Sequence, residues 1–324
     1  MRSPVRVAVI GAGVMGARHA RLYSQIPGYE FAGVFDPDTA RATEVADQFG
    51  GIAFRDFNAL LDDVEAATVA SPTSTHAAVA RRAMDAGLHL LIEKPMAASV
   101  DEARHIVERS DASDRVLLVG HVELFNPAVA ELRRTLAGRK VRHVTLRRIA
   151  PFTSRCLDTN VVSDLMIHDI NLVQNLFGSD IVSITADGEA VETTQIDRAV
   201  VDLTLATGTR VTLFASRVGA SQTRQIDVTA DGICVLADLL NRSISMTSVT
   251  PTGGRCLIEQ YDAPPGEPLR LELQHFLNCI RGQEKPQIDA ACGYRAVEWV
   301  DRIDRLIDQR RLTAPAGAHA GKVY

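Results

Sequence analysis

Short apolar runs alternate with segments of helical periodicity along the first third of the chain. The apolar runs predict strands at residues 5–10, 29–35, 66–70, 89–92 and 116–119. Apolar residues recurring every three or four positions predict helices at residues 17–25, 39–49, 76–86 and 100–110. Such alternation is typical of parallel strands joined by right-handed crossovers. Residues 1–120 are therefore predicted to form one α/β domain, a doubly wound parallel sheet.

The pattern changes after Gly120, where strand-like segments follow one another with short turns. They predict strands at residues 141–150, 181–187, 198–205, 210–216, 225–230 and 232–238. The dipeptides Thr207-Gly208 and Asp231-Gly232 are typical of hairpin turns. Helical periodicity predicts further helices at residues 163–177, 268–281 and 289–309. Residues 121–324 are therefore predicted to form an α+β domain with a largely antiparallel open sheet.

The composition is that of a folded protein larger than one typical core. Of its 324 residues, 46% are hydrophobic and 23% are charged, which argues against long disordered segments. The net charge of −5 argues against a broad nucleic-acid-binding surface. No apolar stretch approaches the roughly 20 residues that span a membrane, and the start does not resemble a signal peptide. We expect a cytoplasmic protein that binds neither nucleic acid nor membrane.

The cysteines argue against a metal site. Five of them are scattered along the chain without a C-x-x-C pair. An odd number without that spacing fits neither a disulfide framework nor a zinc site. We predict free thiols and no bound metal.

A glycine motif, GAGVMG, follows the first predicted strand and opens the first predicted helix. In a dinucleotide-binding loop Gly11 permits the tight turn, Gly13 lets the backbone approach a pyrophosphate, and Gly16 lets helix and strand pack closely. Val14 and Met15 complete the loop where the helix presents its free N–H groups to phosphate. A methyltransferase loop is the alternative, since it also follows a first strand. The position of the motif favours dinucleotide binding.

Asp36 ends the second predicted strand, 20 residues after the last glycine of the motif. An acid at this place accepts hydrogen bonds from both adenosine ribose hydroxyls and repels a 2′-phosphate. Asp38 adds negative charge, and Arg41 comes only in the next helix. The sequence therefore favours NAD, with NADP less expected. The alternative is that Asp36 only begins a turn.

Three side chains of a catalytic kind stand at informative positions. Lys94 directly follows a predicted parallel strand, at the end where ligands bind in such sheets. Asp164 and His168 are four residues apart on one predicted helix face, where a carboxylate can orient an imidazole that takes a proton. By residue type alone, a solvated lysine and a surface ion pair are equally ordinary explanations.

The motifs together resemble the glucose–fructose oxidoreductase, inositol dehydrogenase and MocA (Gfo/Idh/MocA) family. The matching elements are the glycine motif, SPTSTH at 71–76, EKP at 93–95, GHVELFNP at 120–127 and Asp164-x-x-x-His168. Their order along the whole chain is more specific than any one of them. The resemblance implies an NAD(P)-dependent oxidoreductase with a Rossmann domain that acts on a sugar or cyclitol hydroxyl.

The resemblance also implies roles for individual residues. Lys94 would bond the reacting oxygen, His168 would be the general base, and Asp164 would hold substrate and histidine. Further cofactor contacts are expected from Ser71, Thr73, His76, Glu93 and Lys94. His76 could instead be an ordinary residue of the first helical turn. His121 and Asn126 could contact the nicotinamide or the substrate, or act at a hinge between the domains.

The segments 147–155 and 162–170 are similar to those of a subgroup that oxidises the 3-hydroxyl of UDP-N-acetylglucosamine. Guanidinium groups suit the diphosphate of such a substrate, which makes Arg155 the first candidate contact and Arg148 the second. Arg147 and Arg148 alternate on a strand, so at most one faces the site. A free sugar or inositol is the alternative substrate.

Two expectations concern the protein as a whole. A non-catalytic dinucleotide-binding regulator is the alternative from another class, because it would keep the glycine loop without needing the three catalytic residues. Family members commonly assemble through the second sheet, which implies a homodimer or homotetramer.

Overall fold

The computed structural model describes residues 3–153, 159–178, 180–249 and 256–313. The chain divides into two compact units, the first formed by residues 1–127 and 265–298 and the second by residues 128–264 and 299–324. The prediction of one continuous second domain over 121–324 differs from this division. The strands and helices confirm the predicted fold class.

The α-helices of the described residues belong to both units. They are α1 (Val14–Tyr23), α2 (Thr39–Phe49), α3 (Phe57–Asp63), α4 (Thr73–Asp85), α5 (Val100–Asp111), α6 (Pro127–Leu136), α7 (Ile167–Phe177), α8 (Pro268–Ile280) and α9 (Ala290–Thr313). Two shorter segments are a 3₁₀ turn, Val122–Phe125, and a π-helical turn, Val162–Met166. Among the described residues, no helix is long and apolar enough to cross a bilayer.

The first unit is built on a six-stranded parallel sheet. Its strands are β1 (Val5–Ile10), β2 (Tyr29–Phe35), β3 (Ile52–Phe54), β4 (Ala66–Val69), β5 (His89–Glu93) and β6 (Leu117–Gly120). They lie in the order β3-β2-β1-β4-β5-β6, so the strand order reverses between β1 and β4. In doubly wound folds ligands bind at such a switch point, beyond the carboxyl ends of the strands.

Helix α8 belongs to the first unit because its apolar face completes that unit's core. Leu273, Phe276 and Leu277 are buried in one cluster with Val7 of β1 and Leu22 of α1. Burying a large apolar side chain contributes about 1.5–3 kcal/mol. This core therefore explains why the chain returns to the first unit after the second sheet.

The second unit is built on an eight-stranded sheet. Its strands are β7 (Val141–Ile149), β8 (Ile181–Glu189), β9 (Arg198–Leu205), β10 (Arg210–Ser216), β11 (Thr223–Ala230), β12 (Ile233–Asp238), β13 (Ser243–Val249) and β14 (Cys256–Asp262). They lie in the order β14-β13-β12-β11-β7-β10-β9-β8. The pair β7–β10 is parallel and the other pairs are antiparallel.

Alternation along β7 sorts its side chains onto two faces. Val144, Leu146 and Arg148 are buried, whereas Arg147 is exposed. Successive side chains of a strand point to opposite faces, so the buried three share one face. The buried arginine therefore lies on the apolar side of this sheet.

Candidate active site

The glycine loop joins β1 to α1 with very little space at two of its three glycines. Gly11 has a φ of +107°, and a Cβ there would lie 2.6 Å from the carbonyl carbon and oxygen of Ala70 in the next strand connection. A Cβ on Gly16 would collide with the carbonyl oxygen of Gly11. The left-handed backbone and both close approaches exclude a side chain. Gly11 and Gly16 are thus needed to build the loop itself.

Gly13 differs, because no heavy atom lies within 4 Å of the position a Cβ would take. It precedes α1, and Val14 in the first helical turn is 53% exposed. A glycine facing open space, next to the free N–H groups of a helix start, is what the approach of a pyrophosphate requires. The loop therefore fits NAD, with Met15 in the same first turn.

Asp36, directly after β2, is tied to the glycine loop. Its Oδ2 accepts the N–H of Ala12 at 2.7 Å, and its Oδ1 accepts the N–H of Asp38 at 2.9 Å. Arg41 is engaged by Asp38, with Nε 3.1 Å from Oδ2. A carboxylate held at this position suits ribose hydroxyls and opposes a 2′-phosphate.

The turn after β4 brings Ser71, Thr73 and His76 together at the start of α4. Ser71 Oγ lies 2.7 Å from Thr75 Oγ1, and Ser71 and Thr73 are half-buried. The ring of His76 is buried, with Nδ1 2.9 Å from the carbonyl oxygen of Pro95 and Nε2 2.8 Å from that of Ser71. Both ring nitrogens thus lie within hydrogen-bond distance of the protein's own carbonyl groups, and contact of His76 with the cofactor stays a prediction.

Lys94 follows β5 and is half-buried. Glu93, just before it, is buried, and its Oε2 accepts the backbone N–H of Lys94 at 3.2 Å. The other carboxylate oxygen of Glu93 lies 2.7 Å from His19 Nε2. Glu93 therefore supports the lysine from within the protein, and its contact with the cofactor stays a prediction.

His121 and Asn126 lie in the segment that follows β6. Burial, and secondarily the charge of Lys94, lower the pKa of His121 to about 3, so its ring is neutral near pH 7. Asn126 is buried and donates from Nδ2 to Glu123 Oε2 at 3.3 Å. It directly precedes the division between the units at Pro127. Contact of His121 and Asn126 with substrate stays a prediction, and their burial favours a structural role.

Asp164 and His168 lie one helical turn apart in the second unit. Asp164 is in the π-helical turn 162–166, and His168 is the second residue of α7. Asn160 begins this segment: its carbonyl oxygen accepts the N–H of Asp164 at 3.1 Å, and its side chain accepts that of Ser163 at 2.9 Å. Both Asp164 and His168 are half-buried. π-helical turns are frequent at functional sites.

Arg148 does not have the placement that the sequence suggested. Its guanidinium is buried and donates to Asp169 Oδ1 from Nε at 3.0 Å and from Nη2 at 2.7 Å. An enclosed guanidinium already held by a carboxylate is not available to a substrate diphosphate. We therefore assign Arg148 to the support of α7, where Asp169 follows His168. Arg155, the first candidate for the diphosphate, lies outside the described residues.

Another set of side chains has the composition of a nucleophilic site. In α8, His275 Nε2 lies 3.4 Å from Cys279 Sγ, and His275 Nδ1 lies 2.5 Å from Glu284 Oε2. The N–H of Gln287 donates to the same Nε2 at 3.1 Å, which leaves no free lone pair for a base. Burial raises the pKa of Cys279 to about 11. The thiol is therefore protonated and packs the helix.

Sequence reasoning missed two buried groups near Glu93. His19 lies on the buried face of α1 with Leu22 and Tyr23, and Glu272 lies on α8. Burial, and secondarily the charge of Glu93, raise the pKa of Glu272 well above its usual range. A polar residue among the apolar positions of a helix was the available signal in both cases.

Two family models match most of the described elements. Residues 5–121 match the model described as an oxidoreductase family with an NAD-binding Rossmann fold. Residues 139–232 match the GFO/IDH/MocA C-terminal domain. A dinucleotide-binding unit joined to this second domain defines the class as an NAD-binding oxidoreductase.

Individual relatives extend the match to nearly the whole chain. The UDP-N-acetylglucosamine 3-dehydrogenase of Acidithiobacillus ferrooxidans is 36% identical over 297 residues, which cover 90% of this chain and 94% of that protein. A solved structure of the enzyme of that name, GnnA, has a TM-score of 0.89 and 34% identity, covering 95% of this chain and 99% of that one. The scyllo-inositol 2-dehydrogenase (NAD(+)) of Bacillus subtilis is 26% identical over 88% of this chain and 89% of that protein. The chain belongs to the Gfo/Idh/MocA family of oxidoreductases.

The family confirms the predicted class of enzyme and cofactor. The protein is an NAD(P)-dependent dehydrogenase that acts on a hydroxyl-bearing carbon of a sugar or cyclitol. Its first unit is an NAD-binding Rossmann domain.

Proposed function

We propose that this enzyme oxidises the 3-hydroxyl of a nucleotide amino sugar such as UDP-N-acetylglucosamine, with NAD as the oxidant. The observation that carries the proposal is similarity to a UDP-N-acetylglucosamine 3-dehydrogenase across 90% of the chain. The scyllo-inositol 2-dehydrogenase matches over a similar share of the chain, 88%, but at 26% identity against 36%, and several inositol 2-dehydrogenases match over 56% of the chain. The higher identity over both units favours the nucleotide sugar, because sites grafted on a shared fold decide the substrate.

In the proposed reaction each unit contributes part of the chemistry. Lys94 donates a hydrogen bond to the reacting oxygen and stabilises the negative charge that develops there. His168 accepts the hydroxyl proton as general base, and Asp164 holds that imidazole and the substrate. The chemistry that bound NAD supplies is acceptance of a hydride from the carbinol carbon. The hydroxyl oxygen loses its proton to His168 and the carbon loses a hydride, which leaves a ketone.

The preference for NAD over NADP is attributed to Asp36. Its carboxylate is fixed by two backbone N–H groups, those of Ala12 and Asp38. The nearby Arg41 is already paired with Asp38. A 2′-phosphate would therefore meet like charge without a free guanidinium beside it.

The test is NADH formation with UDP-N-acetylglucosamine, myo-inositol, scyllo-inositol and free hexoses, each with NAD and with NADP. A ketone trap such as hydrazine is present, because it draws an unfavourable oxidation forward. We expect turnover with the nucleotide sugar and NAD. Turnover with a free polyol and none with the nucleotide sugar would contradict the substrate proposal and support the inositol alternative.

The catalytic roles are tested with Lys94→Ala and its matched control Lys285→Ala, an exposed lysine of the same unit. Lys94→Ala is expected to keep NAD binding and lose about 10²–10³-fold in turnover, since it removes a charge-stabilising donor. Lys285→Ala should behave as the native enzyme. A native protein that binds NAD but oxidises none of these compounds would support the regulator instead.

A further inference from the structure

Lys94 stands between two residues that are each held by a buried histidine. Glu93 precedes it and is contacted by His19, and Pro95 follows it and is contacted by His76. The two histidines are 0% and 1% exposed and come from α1 and α4. Side chains from α1 and α4 thus reach the same short turn.

The first contact runs through a carboxylate. His19 Nε2 lies 2.7 Å from Glu93 Oε1, and Glu93 Oε2 accepts the N–H of Lys94 at 3.2 Å. Gly120 on the neighbouring strand leaves room for this side chain, since a Cβ there would lie 3.1 Å from Glu93 Oε2. The ring of His19 is therefore linked to the backbone of Lys94 through one side chain.

The second contact joins two strand ends. His76 Nδ1 lies 2.9 Å from the carbonyl oxygen of Pro95, after β5, and Nε2 lies 2.8 Å from that of Ser71, after β4. His76 thus has two contacts, called its arms below: the Pro95 arm, from Nδ1 to the turn that holds Lys94, and the Ser71 arm, from Nε2 to the turn with the predicted cofactor contacts.

We propose that His19 and His76 are positioning residues for Lys94, and that the two arms of His76 serve different parts of the reaction. The Pro95 arm holds the lysine, and the Ser71 arm holds the cofactor turn. The proposal includes no contact of either histidine with substrate or NAD. The proposal rests on the proposed function only in that Lys94 has a catalytic task.

Burying polar rings is costly unless they are hydrogen-bonded, and an apolar side chain of similar volume would pack without that requirement. Fold stability alone therefore does not call for histidine at both places. Precise placement of a reacting group does call for such directional contacts, because displacement by about 1 Å can lower rates about 10²-fold.

The two arms of His76 can be separated by amide substitutions. The amide of His76→Asn falls near the position of Nδ1, whereas that of His76→Gln reaches the position of Nε2. We expect His76→Asn to keep kcat and raise KM for NAD about 10-fold, because it loses the Ser71 arm. His76→Gln should keep KM for NAD and lower kcat about 10-fold or more. Equal effects of both variants on both parameters would overturn the division of roles.

A spectroscopic readout is independent of any substrate. The chain has only four lysines, Lys94, Lys140, Lys285 and Lys322, so ¹³C-dimethylation gives few lysine NMR signals. The signal missing from Lys94→Ala identifies Lys94. We expect that signal to shift in His19→Leu and His76→Gln, and to return toward the native position in His19→Gln, which keeps a donor for Glu93.

His275→Gln is the matched control, because His275 is a buried, hydrogen-bonded histidine of the same unit that contacts neither turn. It should leave the Lys94 signal in place even where it lowers the unfolding temperature. A Lys94 signal that stays in place in all His19 and His76 variants, or moves equally in His275→Gln, would overturn the proposal. If His19→Leu does not fold, the His76 pair decides. Shifted signals without turnover of any sugar would instead contradict the proposed function alone.

Discussion

Both units hold a buried carboxylate beside a proposed catalytic residue, but with different basic partners. In the first unit Glu93 precedes Lys94, the proposed catalytic lysine, and lies 2.7 Å from His19. In the second unit Asp169 follows the proposed general base and accepts two hydrogen bonds from Arg148, at 3.0 and 2.7 Å. A guanidinium stays charged at every pH of interest, whereas an imidazole can donate a hydrogen bond from its neutral form.

Glu93 also has a second buried titratable group near it. Glu272, a second buried carboxyl, lies close enough to Glu93 to be affected by its charge, and its pKa is raised well above the usual range. Burial raises the pKa of Tyr23, on the adjacent helix, well above its usual range. We therefore expect the stability of the first unit to depend on pH. The contribution of the Arg148–Asp169 pair to stability should not change with pH.

The largest expected effect is the loss of Arg148. Arg148→Met leaves Asp169 buried without its cation and should lower the free energy of unfolding by about 3–5 kcal/mol. The control Arg147→Met, on the exposed face of the same strand, should change it by less than about 0.5 kcal/mol. Denaturant unfolding of both variants measures this. Equal stability of the two would mean that the buried pair does not hold the second unit together.

Loss of His19 should have a smaller effect. His19→Leu removes a donor from a buried carboxylate and should destabilise by about 1–3 kcal/mol, whereas His19→Gln keeps a donor and should recover most of that. Denaturant unfolding at pH 7 distinguishes them. If His19→Leu is as stable as the native chain, the contact with Glu93 contributes nothing, and the comparison with Arg148 fails.

Glu272 should make the stability of the first unit fall as pH rises. The unfolded carboxyl ionises near pH 4.5, whereas the buried one keeps its proton to much higher pH. Between these values the folded state binds one proton more, so stability falls by up to about 1.4 kcal/mol per pH unit. Glu272→Gln should match the native protein near pH 4 and exceed it at pH 8. Parallel stability curves for the two proteins would contradict this.

Asp304 should give the second unit a weaker dependence in the same direction. Burial is the main reason that its pKa is raised from 3.8 to about 6, while Asn160 opposes the shift through a hydrogen bond. Stability is therefore lost as pH rises from about 3.8 to 6. Asp304→Asn should be more stable at pH 7 by about 1 kcal/mol, since partial exposure weakens the effect. Asp227→Asn, an exposed position of β11, is the control and should change little.

The sequence predicted the longer elements of the fold well, because buried strands and amphipathic helices carry a clear period. The strand Tyr29–Phe35 and the helix Thr39–Phe49 have the predicted bounds. The strand Ile52–Phe54 and the helix Phe57–Asp63 were missed, since three and seven residues are too few to show a period. Cys256–Asp262 was missed for another reason: it is an edge strand, exposed at nearly every position, without alternation.

The site was predictable where motifs carry it and unpredictable where distant parts of the chain meet. Lys94 and Asp36 stand at strand ends, so their positions followed from the pattern. His19 meets Glu93 across 74 residues of sequence, which no local spacing reveals. Strand alternation placed Arg147 and Arg148 on opposite faces, but only the contact with Asp169 decides which one is enclosed.

The three glycines of the loop have a consequence for sequence variation. Side chains at Gly11 and Gly16 collide with the backbone, whereas one at Gly13 meets nothing. A library selected only for folding should thus keep two of these glycines and let the third drift. Selection for growth that depends on the enzyme forming its product should restore all three. The difference between the two surviving populations would identify the part of this loop that exists for the ligand alone.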